Sequence, residues 1–147
     1  MTGRLLSSES IHASTVAIDG RAVLITGPSG AGKSDLALRL LDRGFTLVSD
    51  DQTIVRREGD RLIASAPATI AGMLEIRGIG IVDFATVGDL PVALVVELTS
   101  EMARMPDDSR ERVILGITVP LITLDAMTAS AASKVALGLE RLGLNFQ

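Results

Sequence analysis

The octapeptide Gly27-Pro28-Ser29-Gly30-Ala31-Gly32-Lys33-Ser34 fits the pattern G-x-x-x-x-G-K-[ST]. Glycines in such a loop let successive backbone N–H groups point into one concavity, and the helix that follows adds the positive end of its dipole. Lys33 would then reach the β and γ phosphates of a nucleotide, and Ser34 would offer its hydroxyl to Mg²⁺. A phosphate cradle alone does not choose between hydrolysis, transfer and nucleotide sensing. A little further on, the apolar run "FTLVS" ends at Asp50 and Asp51. Carboxylates at the C-terminal end of a strand beside a phosphate loop hold magnesium or act as a base. The same pair is also ordinary turn chemistry. His12 is the only histidine, and by itself it reads as a strand residue.

These residues need elements to carry them. "IHASTVAIDGRAVLIT" predicts two strands joined at Asp19-Gly20, a two-residue turn that tolerates positive φ. "KSDLALRLLDR" predicts a helix with Leu36, Ala37, Leu40 and Leu41 on its apolar face, stopped at Gly44. "FTLVS" reads as a buried strand, and "TIVRREGDRLIAS" as a hairpin turning at Glu58-Gly59-Asp60. "MLEIRGIGIVDF", broken by Gly78 and Gly80, reads as strand, turn, strand. "PVALVVEL" predicts a central strand. "ERVILGITVPLITL" predicts two short strands with breaks at Gly116 and Pro120. A helix is expected from Ala129 to Leu142, with Val135, Leu139 and Leu142 facing the core. Strands outnumber helices and several neighbours look like hairpins. The expected fold is therefore α/β, a mixed sheet with a P-loop and flanking helices, formed by a single domain over residues 1–147.

Composition narrows the function. The chain has 147 residues, 47% of them hydrophobic and 22% charged, which describes a globular domain. Its net charge of -4, three phenylalanines and lack of Trp and Tyr speak against nucleic acid as a partner. The absence of cysteine excludes disulfides and thiol chemistry. No apolar signal core or bilayer-length run is visible, so a soluble, cytoplasmic protein without a membrane partner is expected.

The stretch "GPSGAGKSDLALRLLDRGFTLVSDD" resembles the P-loop region of the bacterial HPr kinase/phosphorylases, and "LEIRGIGIVDF" resembles that family's signature segment. "IHA" stands where the family has an essential histidine, and "VILGITVPLITL" is similar to its late strand pair. The resemblance covers nearly all of this chain, and the catalytic half of a typical member. It implies a protein serine kinase that uses ATP or pyrophosphate to phosphorylate a serine of the carrier protein HPr, and that in many members reverses the reaction by phosphorolysis. It also implies a fold related to phosphoenolpyruvate carboxykinase and a hexameric assembly. A mean hydropathy of +0.40, high for a small soluble monomer, agrees with an oligomer.

Carried over residue by residue, the resemblance gives Asp51 as the proton acceptor. Asp50 would orient Asp51 or bind the metal. Glu75 would join Ser34 as a magnesium ligand, and His12 would hold or tune Asp51. Arg104 would face the transferred phosphoryl group, since it precedes Leu115-Gly116 as the family's catalytic arginine precedes its own Leu-Gly. Two departures stand out. "ATVGDL" after Phe84 is shorter than the family's loop, and "DAMTASAAS" after Leu124 replaces a basic Arg/Gly loop. They leave the kinase half intact and bear on phosphorolysis and HPr engagement. Two other readings compete: a small-molecule P-loop kinase, and a nucleotide-sensing interaction protein that binds ATP without transfer.

Overall fold

The computed structural model describes residues 7–99 and 110–146. The strands are β1 (Ser8–Ile11), β2 (Ala13–Ile18), β3 (Arg21–Thr26), β4 (Thr46–Ser49), β5 (Thr53–Glu58), β6 (Arg61–Ser65), β7 (Met73–Ile76), β8 (Gly80–Asp83), β9 (Leu90–Leu98), β10 (Arg110–Ile114) and β11 (Ile117–Leu124). Two α-helices join them, α1 (Lys33–Leu41) and α2 (Ala131–Leu142).

The main sheet runs β1-β5-β6-β9-β3-β2-β4, with β11 and then β10 branching from β9. β9 is the hub, as its near-continuous apolar run predicts. Its start pairs antiparallel with β6, its later part pairs parallel with β11, and its other edge pairs parallel with β3. The remaining ladders are antiparallel, so the sheet is mixed as expected. β7 and β8 form a separate two-stranded sheet.

The predicted turns appear where their residues allow them. Asp19 and Gly20 both take positive φ (53° and 77°) between β2 and β3. Arg56 on β5 bridges Glu58 at 2.7 Å and Asp89 at 2.8 Å. Those hydrogen bonds, Asp89's first, raise its guanidinium pKa above the ordinary value.

Both helices pack on one face of the sheet, where Leu36, Ala37 and Leu40 of α1 meet Val135 and Leu139 of α2 over Val23, Ile25, Leu94 and Val96. Each fully buried leucine here contributes about 1.5–3 kcal/mol over an exposed one. The opposite face is closed by the curl of the sheet itself, with Leu24, Val55, Leu62, Val95 and Val119 enclosed between strands. The helices therefore flank one side only.

Three further expectations are corrected. The first strand is split: β1 is an additional edge strand and the chain bends at His12 before β2. Pro120 does not break β11, because pairing with β9 begins only at Leu121 and a proline fits a strand segment with one free edge. Leu142 is 49% exposed. It ends α2, and the chain then folds back so that Leu144 packs on the core and its N–H bonds Ala93 O at 3.0 Å.

Candidate functional site

Three chain ends meet at one edge of the sheet. β3 stops at Thr26 and enters the glycine-rich loop. β4 stops at Ser49 and delivers Asp50 and Asp51. β2 runs antiparallel to both, so its beginning, just after His12, lies beside those two C-terminal ends, with Ala13 opposite Thr26 and Thr15 opposite Ser49. Between Thr15 and Val16 the register with β4 slips by one residue and leaves Val48 as an extra residue on β4, as bulges near functional sites do.

The loop has the strand–turn–helix context its motif requires. Gly32 is the N-cap of α1 at φ 100°, a conformation that a side chain rarely adopts, and a Cβ there would stand 3.1 Å from the Cβ of Ala126. No side chain caps the helix, so its first-turn N–H groups remain open to an anion. Pro28, Ser29 and Gly30 are exposed at the loop tip. Lys33 is buried, and its Nζ donates to the carbonyls of Gly27 at 2.9 Å and Pro28 at 3.1 Å.

The aspartates take different positions. Asp50 is buried, and its Oδ1 accepts the Ser34 hydroxyl at 2.7 Å and the Ser14 hydroxyl at 2.7 Å. Asp51 is the centre of a tight turn closed by Gln52 N–H to Asp50 O at 2.7 Å, with its own φ at 69°. A non-glycine residue at such φ costs of order 1–3 kcal/mol and persists only where its surroundings impose it. Its side chain is 67% exposed and lies 2.8 Å from His12 Nε2. Thr53, just after the turn, is fixed by hydrogen bonds to Ala13 O and Thr15 Oγ1. An exposed carboxylate is thus held rigidly from below and contacted by the one imidazole, an arrangement suited to accepting a proton.

The structure brings His12, Ser34, Asp50 and Asp51 together, with Lys33 beside Ser34 at the start of α1. Glu75 lies on β7, where the alternation buries Leu74 against the core and turns Glu75 to solvent. It makes no hydrogen bond or ion pair among the described residues. Arg104 lies outside the described residues. For a metal, Ser34 and Asp50 offer an all-oxygen set that suits a hard cation such as Mg²⁺.

Sequence reasoning missed two participants. Ser14 lies two residues from His12, and the period of two of a strand was the signal that could have found it. Arg39 donates to the carbonyls of Ala126 and Thr128, at 3.4 Å for the latter, and secures the turn that packs on Gly32. That contact joins segments far apart in sequence and leaves no local pattern.

Comparison with known proteins agrees with this architecture. Residues 3–137 match the family described as the HPr serine kinase C-terminal domain. The HPr kinase/phosphorylase of Latilactobacillus sakei subsp. sakei is 34% identical over 160 aligned residues, covering 100% of this chain and 50% of the relative. That of Chlorobium limicola is 37% identical over 152 residues, covering 94% and 45%. The solved structure of the Hpr(Ser) kinase/phosphatase from Coxiella burnetii aligns with a TM-score of 0.78 at 35% identity, covering 90% of this chain and 94% of that one. The chain spans about half the length of the curated relatives it matches. The match over most of its residues places the chain in the HPr serine kinase C-terminal domain family.

Proposed function

We propose that this chain is the catalytic domain of an ATP- and Mg²⁺-dependent protein serine kinase that acts on an HPr-type phosphocarrier protein, in a fold of the phosphoenolpyruvate-carboxykinase kind. The observation that carries the reading is Asp51: exposed, constrained at φ 69°, paired with His12 at 2.8 Å, and one residue from the carboxylate that holds Ser34.

In this reading the loop from Gly27 to Ser34 cradles the triphosphate of ATP. Lys33 exchanges its two loop carbonyls for the β and γ phosphates. The carrier's serine Oγ attacks the γ-phosphorus and forms the new O–P bond. The bond from that phosphorus to the bridging oxygen breaks, and ADP leaves with the electron pair. The serine proton passes to the Asp51 carboxylate, which His12 holds in place. Arg104 would offset charge on the phosphoryl group.

Bound Mg²⁺ would neutralise phosphate charge. Ser34 would hold it, since its hydroxyl proton is committed to Asp50 and its lone pairs are not. Glu75 would join from β7. Among the described residues no three acidic or histidine side chains form a metal cluster of their own, so the oxygens of the nucleotide and water complete the set.

Phosphorolysis passes the phosphoryl group of phosphoserine to inorganic phosphate, forming pyrophosphate and the free serine, and so gathers two anionic reactants in one place. The turn after Leu124 begins with an acid, Asp125, whose Oδ1 accepts the Met127 N–H at 2.9 Å, and its own residues include no cation before Lys134. Phosphorolysis is therefore expected to be weak. Assembly as a homo-hexamer in the cytoplasm, with no nucleic-acid partner, completes the reading, and light scattering at micromolar concentration checks the mass.

The test is incubation with labelled ATP, Mg²⁺ and HPr-type carrier proteins. Label on a carrier serine supports the proposal. Label on a metabolite instead, or nucleotide binding without transfer, overturns it.

A further inference from the structure

The geometry points to Ser14 as a positioning residue that sets Asp51 relative to the phosphate loop. The inference rests on the kinase reading above for its effect on rate, but its structural content stands separately.

A serine hydroxyl has one proton to donate and lone pairs that accept. Ser14 uses both on consecutive residues. Its Oγ donates to Asp50 Oδ1 at 2.7 Å and accepts the backbone N–H of Asp51 at 3.3 Å. The same Asp50 oxygen takes the Ser34 proton at 2.7 Å. A continuous path thus runs from the Asp51 amide through the Ser14 hydroxyl and the Asp50 carboxylate to the serine that ends the loop. Ser14 is fully buried, where a hydroxyl is costly to leave without hydrogen bonds.

The placement follows from the strand. His12, at the bend just before β2, and Ser14, the second residue of β2, both reach Asp51. His12 contacts the carboxylate of Asp51, and Ser14 contacts its amide. Asp51 needs such support because its φ of 69° is unfavourable for a side-chain-bearing residue. Among the described residues, Ser14 is the acceptor its amide finds. Without the hydroxyl the Asp51 amide and one approach to Asp50 lose their partner, and the turn is free to relax. A shift of about 1 Å in a reacting group can cost roughly 10²-fold in rate. Nucleotide binding, which depends on the loop and Lys33, should change little.

The experiment compares the full chain with Ser14→Ala, Ser14→Thr and Asp51→Asn. Two readouts are taken: steady-state transfer to an HPr-type carrier, and the ring NMR signals of His12, which are unambiguous because it is the only histidine. Ser14→Ala should lower kcat about 10- to 100-fold with KM for ATP within about threefold. Its His12 signals should move towards those of Asp51→Asn, in which the carboxylate contact is lost. Ser14→Thr, which keeps the hydroxyl, should retain wild-type signals and most of the rate. His12 signals that stay at the wild-type position in Ser14→Ala overturn the inference whatever happens to the rate. So does a kcat within twofold of wild type when Asp51→Asn is inactive. If wild type transfers nothing to any carrier, the kinase reading fails by itself, and the His12 signals alone decide whether Ser14 holds Asp51.

Discussion

Asp50 and Glu75 are both acidic residues expected near magnesium, yet the protein holds them by different means. Asp50 is buried at the end of β4, and its carboxylate is fixed by hydroxyls from β2 and from α1. Glu75 projects to solvent from a two-stranded hairpin outside the main sheet. The corner around Asp50 is built from three neighbouring strands whose register sets positions closely. The hairpin is anchored by Leu74, fully buried beneath it, while Met73, Ile79 and Ile81 stay exposed. The sheet end thus fixes its carboxylate by hydrogen bonds, whereas the hairpin presents its carboxylate on an exposed face.

The sharpest way to break this contrast lies in the rigid corner. Lys33→Ala should abolish ATP-dependent transfer, because it removes the cation proposed to reach the β and γ phosphates. Near-normal rates at saturating ATP would refute the cradle's role. Asp51→Asn should cost about 10²–10⁴-fold in kcat while nucleotide affinity, measured by calorimetry, stays close to wild type. A lost ATP affinity would make Asp51 a metal ligand and Asp50 the better base.

Next comes the hairpin's anchor. Leu74→Ala should destabilise the fold by about 2–5 kcal/mol, read by urea unfolding, since Leu74 packs in the core shared with α1. A change below about 1 kcal/mol would mean that the hairpin is not docked through this residue. Glu75→Gln should raise the Mg²⁺ concentration needed for half-maximal transfer about tenfold, with unfolding unchanged. An unaltered Mg²⁺ dependence would remove Glu75 from the metal site. At the small end, Ile81→Ser, on the exposed face of β8, should shift stability by no more than about 0.5 kcal/mol. A larger loss would show that this face is covered in the working assembly.

Much of the architecture was legible from residues near one another in sequence. Asp19-Gly20 makes a tight turn because both residues accept positive φ. α1 was readable because Leu36, Ala37 and Leu40 repeat on one helical face and Gly44 ends it. The loop from Gly27 to Ser34 was readable because its glycines are required by the backbone itself. Leu142 and Pro120 misled for a shared reason: an apolar face is buried only where something covers it, and a proline interrupts a strand only where a partner needs its N–H.

The sequence by itself determined the glycine loop, its helix, the hairpins and the presence of two adjacent aspartates, because each depends on turn chemistry or periodicity within a few residues. The tertiary structure alone decided that His12 meets Asp51, that Ser14 ties Asp51 to Asp50 and Ser34, and that Ala126 closes on Gly32. Those contacts depend on the register of β2 against β3 and β4 and on the return of the chain after β11, which are set by the packing of the whole sheet rather than by any local pattern.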